Sequence, residues 1–383
     1  MKIKSRTCPV FFHTVQVILA LTALQMPVIG HCDSGTGWFK NLFESKGKNM
    51  KEVAVKVAEL PEQYINTRRG LSFSRDDKQL AVVSDNEKIN IWDWQSARIV
   101  HTVEKAQGAN DASTTEPIRY SPDGRLFVSC SDIITRIWNT ETWAVVHDIT
   151  DLDYRSCNAI GFTSDGKSLV QVAGLMGSRN NLTIYDTSSW QPVWSLHTVP
   201  FYPSALAISP DGKFAAIGGG VYDSKGSLTQ QIVVADLARR VIVRTIRNTL
   251  EFDNGQIAWS PDGAFITAIG RRGWDGGANN GQGAYTSGLD TVMIFDAHIG
   301  KQVAGEQLED IEATSLRYTP EGKYLIEGVM NGRGSGLGIR IWDGKHHELL
   351  QEIPGEVTGL AVSGDGHYFA ASNYKQISVW QLK

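Results

Sequence analysis

The sequence is sparing with cysteine, with positive charge and with histidine, and each shortage excludes something. Four cysteines in 383 residues do not make a disulfide-stapled fold. Cys8 lies near the N-terminus, and Cys32, Cys130 and Cys157 are too scattered for a metal pattern. Cys130 reads as a buried strand thiol, with a bond to Cys157 as the alternative in an oxidising compartment. Lysine and arginine number 37 against 41 acidic residues. Three of the cations, Lys2, Lys4 and Arg6, stand in the first 30 residues, so the remainder is more acidic still. That balance lacks the basic field that nucleic acid requires, and no nucleic-acid partner is expected. Nine histidines are spread along the chain without carboxylates at ligand spacing, so neither a metal nor another cofactor is expected. There is no Cys-x-x-Cys-His, no His-Glu-x-x-His, no Walker-type loop and no nucleophile elbow.

What is plentiful is glycine, at 38 residues, and tryptophan, at 11. Many turns and many aromatics suit a chain of short, packed strands. The N-terminus is different. Its cationic start, the mostly apolar Val10–Leu24, the break at Pro27 and the small-residue spacing at Val28–Gly30 read as a signal peptide over 1–30. An uncleaved anchor over Val10–Ile29 is the alternative. Ile29-Gly30-His31-Cys32 loosely resembles a lipoprotein signal, with Cys32 as the lipidation site and Asp33–Gly37 as a tether, although His31 departs from the small residue expected there. In Trp38–Phe43 the apolar residues fall on one face of a short helix. The segment 31–50 is therefore read as tether and helix, and 51–383 as one domain.

That domain repeats itself. A turn recurs at Ser74–Asp77, Ser121–Gly124, Ser164–Gly166, Ser209–Gly212, Ser260–Gly263, Thr319–Gly322 and Ser363–Gly366. Its commonest form is Ser-Pro-Asp-Gly, in which Pro presets the turn, Asp closes an Asx-type bond and Gly takes a positive φ. Each turn follows an alternating apolar pair, from Leu71/Phe73 to Leu360/Val362, which is a strand signal. A second column follows each turn: Trp92-Asp93, Trp138-Asn139, Tyr185-Asp186, Ala235-Asp236, Phe295-Asp296, Trp342-Asp343 and Trp380-Gln381.

These two columns resemble the WD-repeat family, over Leu71–Lys383 and in seven copies of about 45 residues. The resemblance implies an all-β, seven-bladed β-propeller with four antiparallel strands per blade around a central channel. The Gly-His dipeptide common in the family is absent, so the blades are expected to rest on apolar faces rather than on a buried histidine network. His101 and His147 fall at equivalent fourth-strand positions, and His346-His347 at a turn. The last repeat stops after its third strand. The unassigned alternating segment Val53–Leu60 is expected to supply the fourth and close the ring, with Val53, Val55 and Val57 making the contacts.

The interval between turn and Asp column is short in blades one, two and seven. It is long in blades three to six, and longest in blade five. The excess is assigned to the loops between second and third strands, on one face of the disc. The blade-five loop, Gly270–Asp290, carries Arg271, Arg272, Trp274 and Tyr285, and neighbouring loops carry Tyr222, Arg179 and Arg333. These are residue types found at binding hot spots. Capture of a metal by Asp275, Asn279 and Asp290 is a minor alternative. Inside the channel, Arg119 and Arg317 stand where other repeats have Ser72, Gly161, Ala207, Ala258 and Ala361, which makes either a structural ion pair or an anion site. The expected function is an exported, non-catalytic scaffold, periplasmic or secreted, that binds a protein partner in the cell envelope through these loops. A membrane would be reached only through Cys32 or an uncleaved signal. The alternatives are a propeller enzyme with a channel site, of lactonase-like hydrolase or cofactor-dependent oxidoreductase type, and a lipid-anchored envelope assembly factor.

Overall fold

A short hydroxyl–carboxylate turn is the local unit from which everything else is built. In six repeats a Ser or Thr hydroxyl donates to the Asp two residues on, at 2.5–2.7 Å: Ser74–Asp76, Ser121–Asp123, Thr163–Asp165, Ser209–Asp211, Ser260–Asp262 and Ser363–Asp365. In all seven, the hydroxyl accepts the N–H of the residue five on, at 2.8–3.1 Å; in the sixth repeat Thr319 does so from Tyr324. The repeat-three turn therefore starts at Thr163, one residue before the Ser164 of the sequence reading. The fourth turn residue is left-handed. It is Gly from Gly124 to Gly366, but Asp77, at φ 57°, in the first repeat. Asp77 holds that conformation with its carboxylate accepting the Gly364 and Asp365 N–H groups of the last repeat.

The computed structural model describes residues 50–61, 70–84, 88–104, 106, 117–130, 134–150, 157–173, 180–198, 201–222, 228–247, 250–251, 256–272, 289–307, 311–331, 338–373 and 375–383. Cys32, the segment Trp38–Phe43 and the rest of 1–49 lie outside these residues, as do Arg179, Trp274, Tyr285, Arg333, Asp275 and Asn279. No helix among the described residues is long and apolar enough to cross a membrane.

The strands form seven antiparallel sheets, one per repeat, each numbered here as a blade. Blade one runs Leu71–Phe73, Gln79–Ser84, Lys88–Asp93 and Arg98–Val103 from channel to rim, and the others follow the same order. In blade five the innermost position is shared by Leu250–Glu251 and Ile257–Trp259, both paired to Phe265–Arg272. Blade seven takes its outer strand from the other end of the chain: Ala54–Leu60 pairs with Ile377–Leu382. The ring thus closes by the N-terminal strand, as the pattern predicted. Its phase is a correction. Val55 and Val57 face solvent, while Val53, Ala54 and Leu60 are buried. A register shift between Lys56 and Ala58 turns the strand so that its two ends, not its middle, meet the neighbouring blades.

Seven buried apolar clusters lie among the described residues, and each straddles two adjacent blades. Between blades one and two, for example, Val83, Ile91 and Val103 meet Ile118, Phe127 and Trp138. Burial between blades is the stabilising term in such a ring, at about 25 cal/mol per Å² of apolar surface. Covalent chemistry adds one more tie, and here the buried-thiol reading of Cys130 is overturned. Cys130, at the end of the second strand of blade two, is bonded to Cys157, at the start of blade three. The two strand ends bring their Cα atoms to 6.0 Å, within disulfide reach.

Candidate functional site

Two regions carry the sequence-predicted site residues, and they lie at opposite ends of the channel. The first is the tall side of the ring. In blade four the second and third strands, Phe214–Tyr222 and Leu228–Asp236, have nine residues each, and in blade five Phe265–Arg272 and Leu289–Asp296 have eight. Blade one spends six on each. In blade four most of the excess length is therefore ladder, whereas in blade five the strands are longer by two residues each and the rest of the excess, 273–288, lies outside the described residues. Tyr222 pairs with Leu228, Arg271 with Asp290, and Arg272 with Leu289, so these expected loop residues sit at the ends of extended hairpins. The reason is physical: alternating residues continue the hydrogen-bonded ladder beyond the ring until a turn-forming stretch interrupts it.

The second region is the opposite mouth of the channel, ringed by the Ser/Thr–Asp turns. The innermost strands of blades two and six, Ile118–Tyr120 and Ile311–Tyr318, each place one arginine on the channel side, Arg119 and Arg317. Both are lining residues of two cavities. The larger, of about 670 Å³, is bounded by blades one, two, six and seven. The smaller, of about 490 Å³, is bounded by blades two to six. The two arginines therefore reach in from opposite sides and part the mouth into two bays.

The pair is a charged device in a confined place. Each side chain is encircled by the ring yet keeps part of its surface open to the channel. Burial and the neighbouring Arg317 charge lower Arg119 to about 10, and burial lowers Arg317 to about 10. Both remain cationic at neutral pH. Arg317 is fixed in place: its Nη1 donates to Gln256 Oε1 and to its own strand's Leu316 carbonyl, both at 2.7 Å. The linings of the bays differ. The larger carries Asp77 and Asp365 at its rim. Among the described residues that line the smaller, Arg119 and Arg317 are the charged ones, and the walls are largely apolar.

Sequence reasoning missed a buried ionic arrangement in blades two and six. Arg136 is bidentate to Asp148 at 2.7 and 2.9 Å and lies over the Trp138 ring, whose N–H donates to Ser129. In blade six Arg340 lies over Trp342, with Glu352 at 3.3 Å, and the Trp342 N–H donates to fully buried Glu327 at 3.0 Å. The signal was present as Arg-Ile-Trp at 136–138 and again at 340–342. It is a structural brace: each arginine joins the third strand to the fourth over the column tryptophan.

Comparison with known proteins agrees with this architecture. The family model for the WD domain, G-beta repeat, matches residues 118–139, which is blade two through its third strand. SEC12-like protein 1 of Arabidopsis thaliana is 23% identical over 223 residues, covering 58% of this chain and 54% of that protein. SEC12-like protein 2 of the same plant is 20% identical over 208 residues, covering 54% and 49%. The chain thus spans about half the length of these curated relatives. Among solved structures, Kuenenia stuttgartiensis hydrazine synthase superposes with a TM-score of 0.66 at 18% identity, over 88% of this chain and 97% of that one, a likeness of fold alone. With seven such blades around a channel, the protein is a β-propeller. Its in-phase turns and the matched repeat are similar to those of the WD-repeat family.

Proposed function

We propose that this propeller is an exported, non-catalytic binding platform that takes a protein partner of the cell envelope on the long loops of blades three to six, which the hairpins of blades four and five raise. The observation that supports this reading is the extended hairpins of blades four and five, whose second and third strands have eight or nine residues against six in blade one. Ladder beyond what the core needs costs backbone entropy, and a rigid raised wall is what a docking surface requires. Arg271, Arg272 and Tyr222 sit at the tops of these ladders, and Trp274, Tyr285, Arg179 and Arg333 follow within the intervening segments. WD-repeat propellers are in general protein-binding scaffolds, which favours a protein over other ligands. Export is supported by the cationic and apolar N-terminus and by the Cys130–Cys157 bond, since such bonds persist in oxidising compartments.

The test is to replace 273–288 by a tight turn and, separately, to make Trp274→Ala, then compare both with the parent in capture from the native envelope. Both variants are expected to keep the parent's circular dichroism and to lose the partner. The Trp274 change should cost about 2 kcal/mol, roughly thirtyfold in Kd. Full retention of the partner by both variants places the binding face elsewhere. Sequencing of the N-terminus from the native host checks export: a chain beginning near His31 or at lipidated Cys32 is expected, and an intact Met1 in a cytoplasmic fraction contradicts it.

A further inference from the structure

The smaller bay at the turn-ringed mouth has a composition that the hairpin face does not explain. Its walls include Phe162, Leu206, Ile208, Trp259, Pro210 and Pro261, from blades three to five. Its volume, about 490 Å³, lies within the range of small-molecule sites, which are concave, mostly apolar and carry few polar groups. The charge comes from Arg119 and Arg317, of the two blades that flank this wall. Two cations flanking an apolar wall describe a ligand in negative: one end anionic, the rest apolar.

We propose that this bay binds a small organic anion, with its carboxylate or phosphate head between Arg119 and Arg317 and its apolar body against the blade three to five wall. The guanidinium fork matches the oxygens of either head group, and it holds planar oxyanions better than an ammonium does. Arg317 is already positioned by Gln256 and the Leu316 carbonyl, so part of the ordering cost precedes binding. Burial and, after it, the Arg317 charge lower Arg119, so the two cations repel. An anionic head between them offsets this repulsion with two attractions. The neighbouring bay is the poorer site for the same ligand, because Asp77 and Asp365 stand on its rim. At the small bay the innermost strands contribute Gly161, Ala207 and Ala258, which leave the space open.

Calorimetric titration of the purified full chain with three probes tests the proposal: 4-phenylbutyrate, acetate and inorganic phosphate, with chloride keeping the ionic strength constant. One 4-phenylbutyrate is expected per chain, bound about tenfold or more tighter than acetate because its ring enters the apolar wall. Arg119→Gln and Arg317→Gln should each weaken it by about tenfold or more, the usual loss for a charged hydrogen bond. Circular dichroism of both variants should be that of the parent. Ala207→Phe fills the bay and leaves the arginines; it should abolish 4-phenylbutyrate binding and spare phosphate. The proposal is overturned if 4-phenylbutyrate binds no tighter than acetate, if the glutamine variants bind it as the parent does, or if no probe binds at its highest soluble concentration. Because these probes act at the turn-ringed mouth, their failure leaves the hairpin-face reading standing, and the reverse also holds.

Discussion

A single turn aspartate shows how much each repeat depends on one side chain. Partial burial alone would raise the Asp123 carboxyl. The Ser121 hydroxyl, the Arg125 N–H and the Arg125 guanidinium outweigh burial and hold it at about 2. Asp76, Asp211, Asp262 and Asp365 are lowered against the same burial by matching bonds. A carboxylate with a depressed value contributes stability above its unfolded value, about 3.9, and loses it as pH falls through the folded value. Histidine adds a second, earlier loss. Burial lowers His101 and His347, so below about 6.5 the unfolded chain takes up protons that the fold resists, and stability falls with pH. Urea midpoints should therefore decline gently from pH 7 to 5 and steeply between about 4 and 2. His347→Asn, at a left-handed position that Asn tolerates, should flatten the gentle part; an unchanged slope there assigns it to other groups. These turns were legible in the sequence because Ser, Pro, Asp and Gly each have a fixed job within four residues. Thr163 was passed over only because Ser164 beside it offers the same hydroxyl.

At the scale of the strand, one register position ties the outer strands of blades one, two, four and six to the next blade, and the residues that use it differ. His101 stacks on Trp143 of blade two at 5.0 Å, and His147 on Trp190 of blade three at 6.1 Å. Arg244 donates to the Ala297 carbonyl of blade five. Gln351 of blade six accepts the Val53 and Ala54 N–H groups at 2.6 and 2.8 Å and donates to the Ala54 carbonyl. The ring-closing strand is thus held from both sides, by the ladder to Ile377–Leu382 and by Gln351. Gln351→Ala should cost about 1–2 kcal/mol, because it removes an acceptor shared by two backbone donors. Deleting 50–60 should do far more, since it strips Val53, Ala54 and Leu60 from two clusters and opens a sheet edge. A deletion variant that melts cooperatively at the parent temperature would show that the ring does not need this strand. The existence of the closing strand could be read from its alternation and from the missing fourth strand of the last repeat. Its phase could not, because a one-residue register shift exchanges the buried and exposed sets and nothing local to 53–60 announces the shift. For the same reason the tall hairpins read as loops: Gly-rich and polar stretches mark where a ladder ends only when the partner strand is known.

At the scale of the whole ring, stability is divided among interfaces between blades, and blades two and three have a covalent link as well as an apolar one. Cys130 and Cys157 belong to the cluster that includes Val128, Ile137, Ile160 and Leu169. Their pairing was open at the sequence level because it depends on where one blade's second strand ends relative to the next blade's first, a distance that spacing along the chain does not encode. The bond closes a segment of 27 residues. Constraint of the unfolded chain over that length is worth about 3.5 kcal/mol. Spread over the unfolding entropy of a domain this large, that is a shift of roughly 5 °C in melting temperature. The Cys130→Ala, Cys157→Ala double variant should therefore melt about 5 °C below the parent in a single transition, and a reductant should lower the parent toward the variant while leaving the variant where it is. Protein from the native host should resist thiol labelling at both positions until it is reduced. If both cysteines label without reduction there, the compartment is a reducing one, and the proposal of export loses the support that this bond lends it.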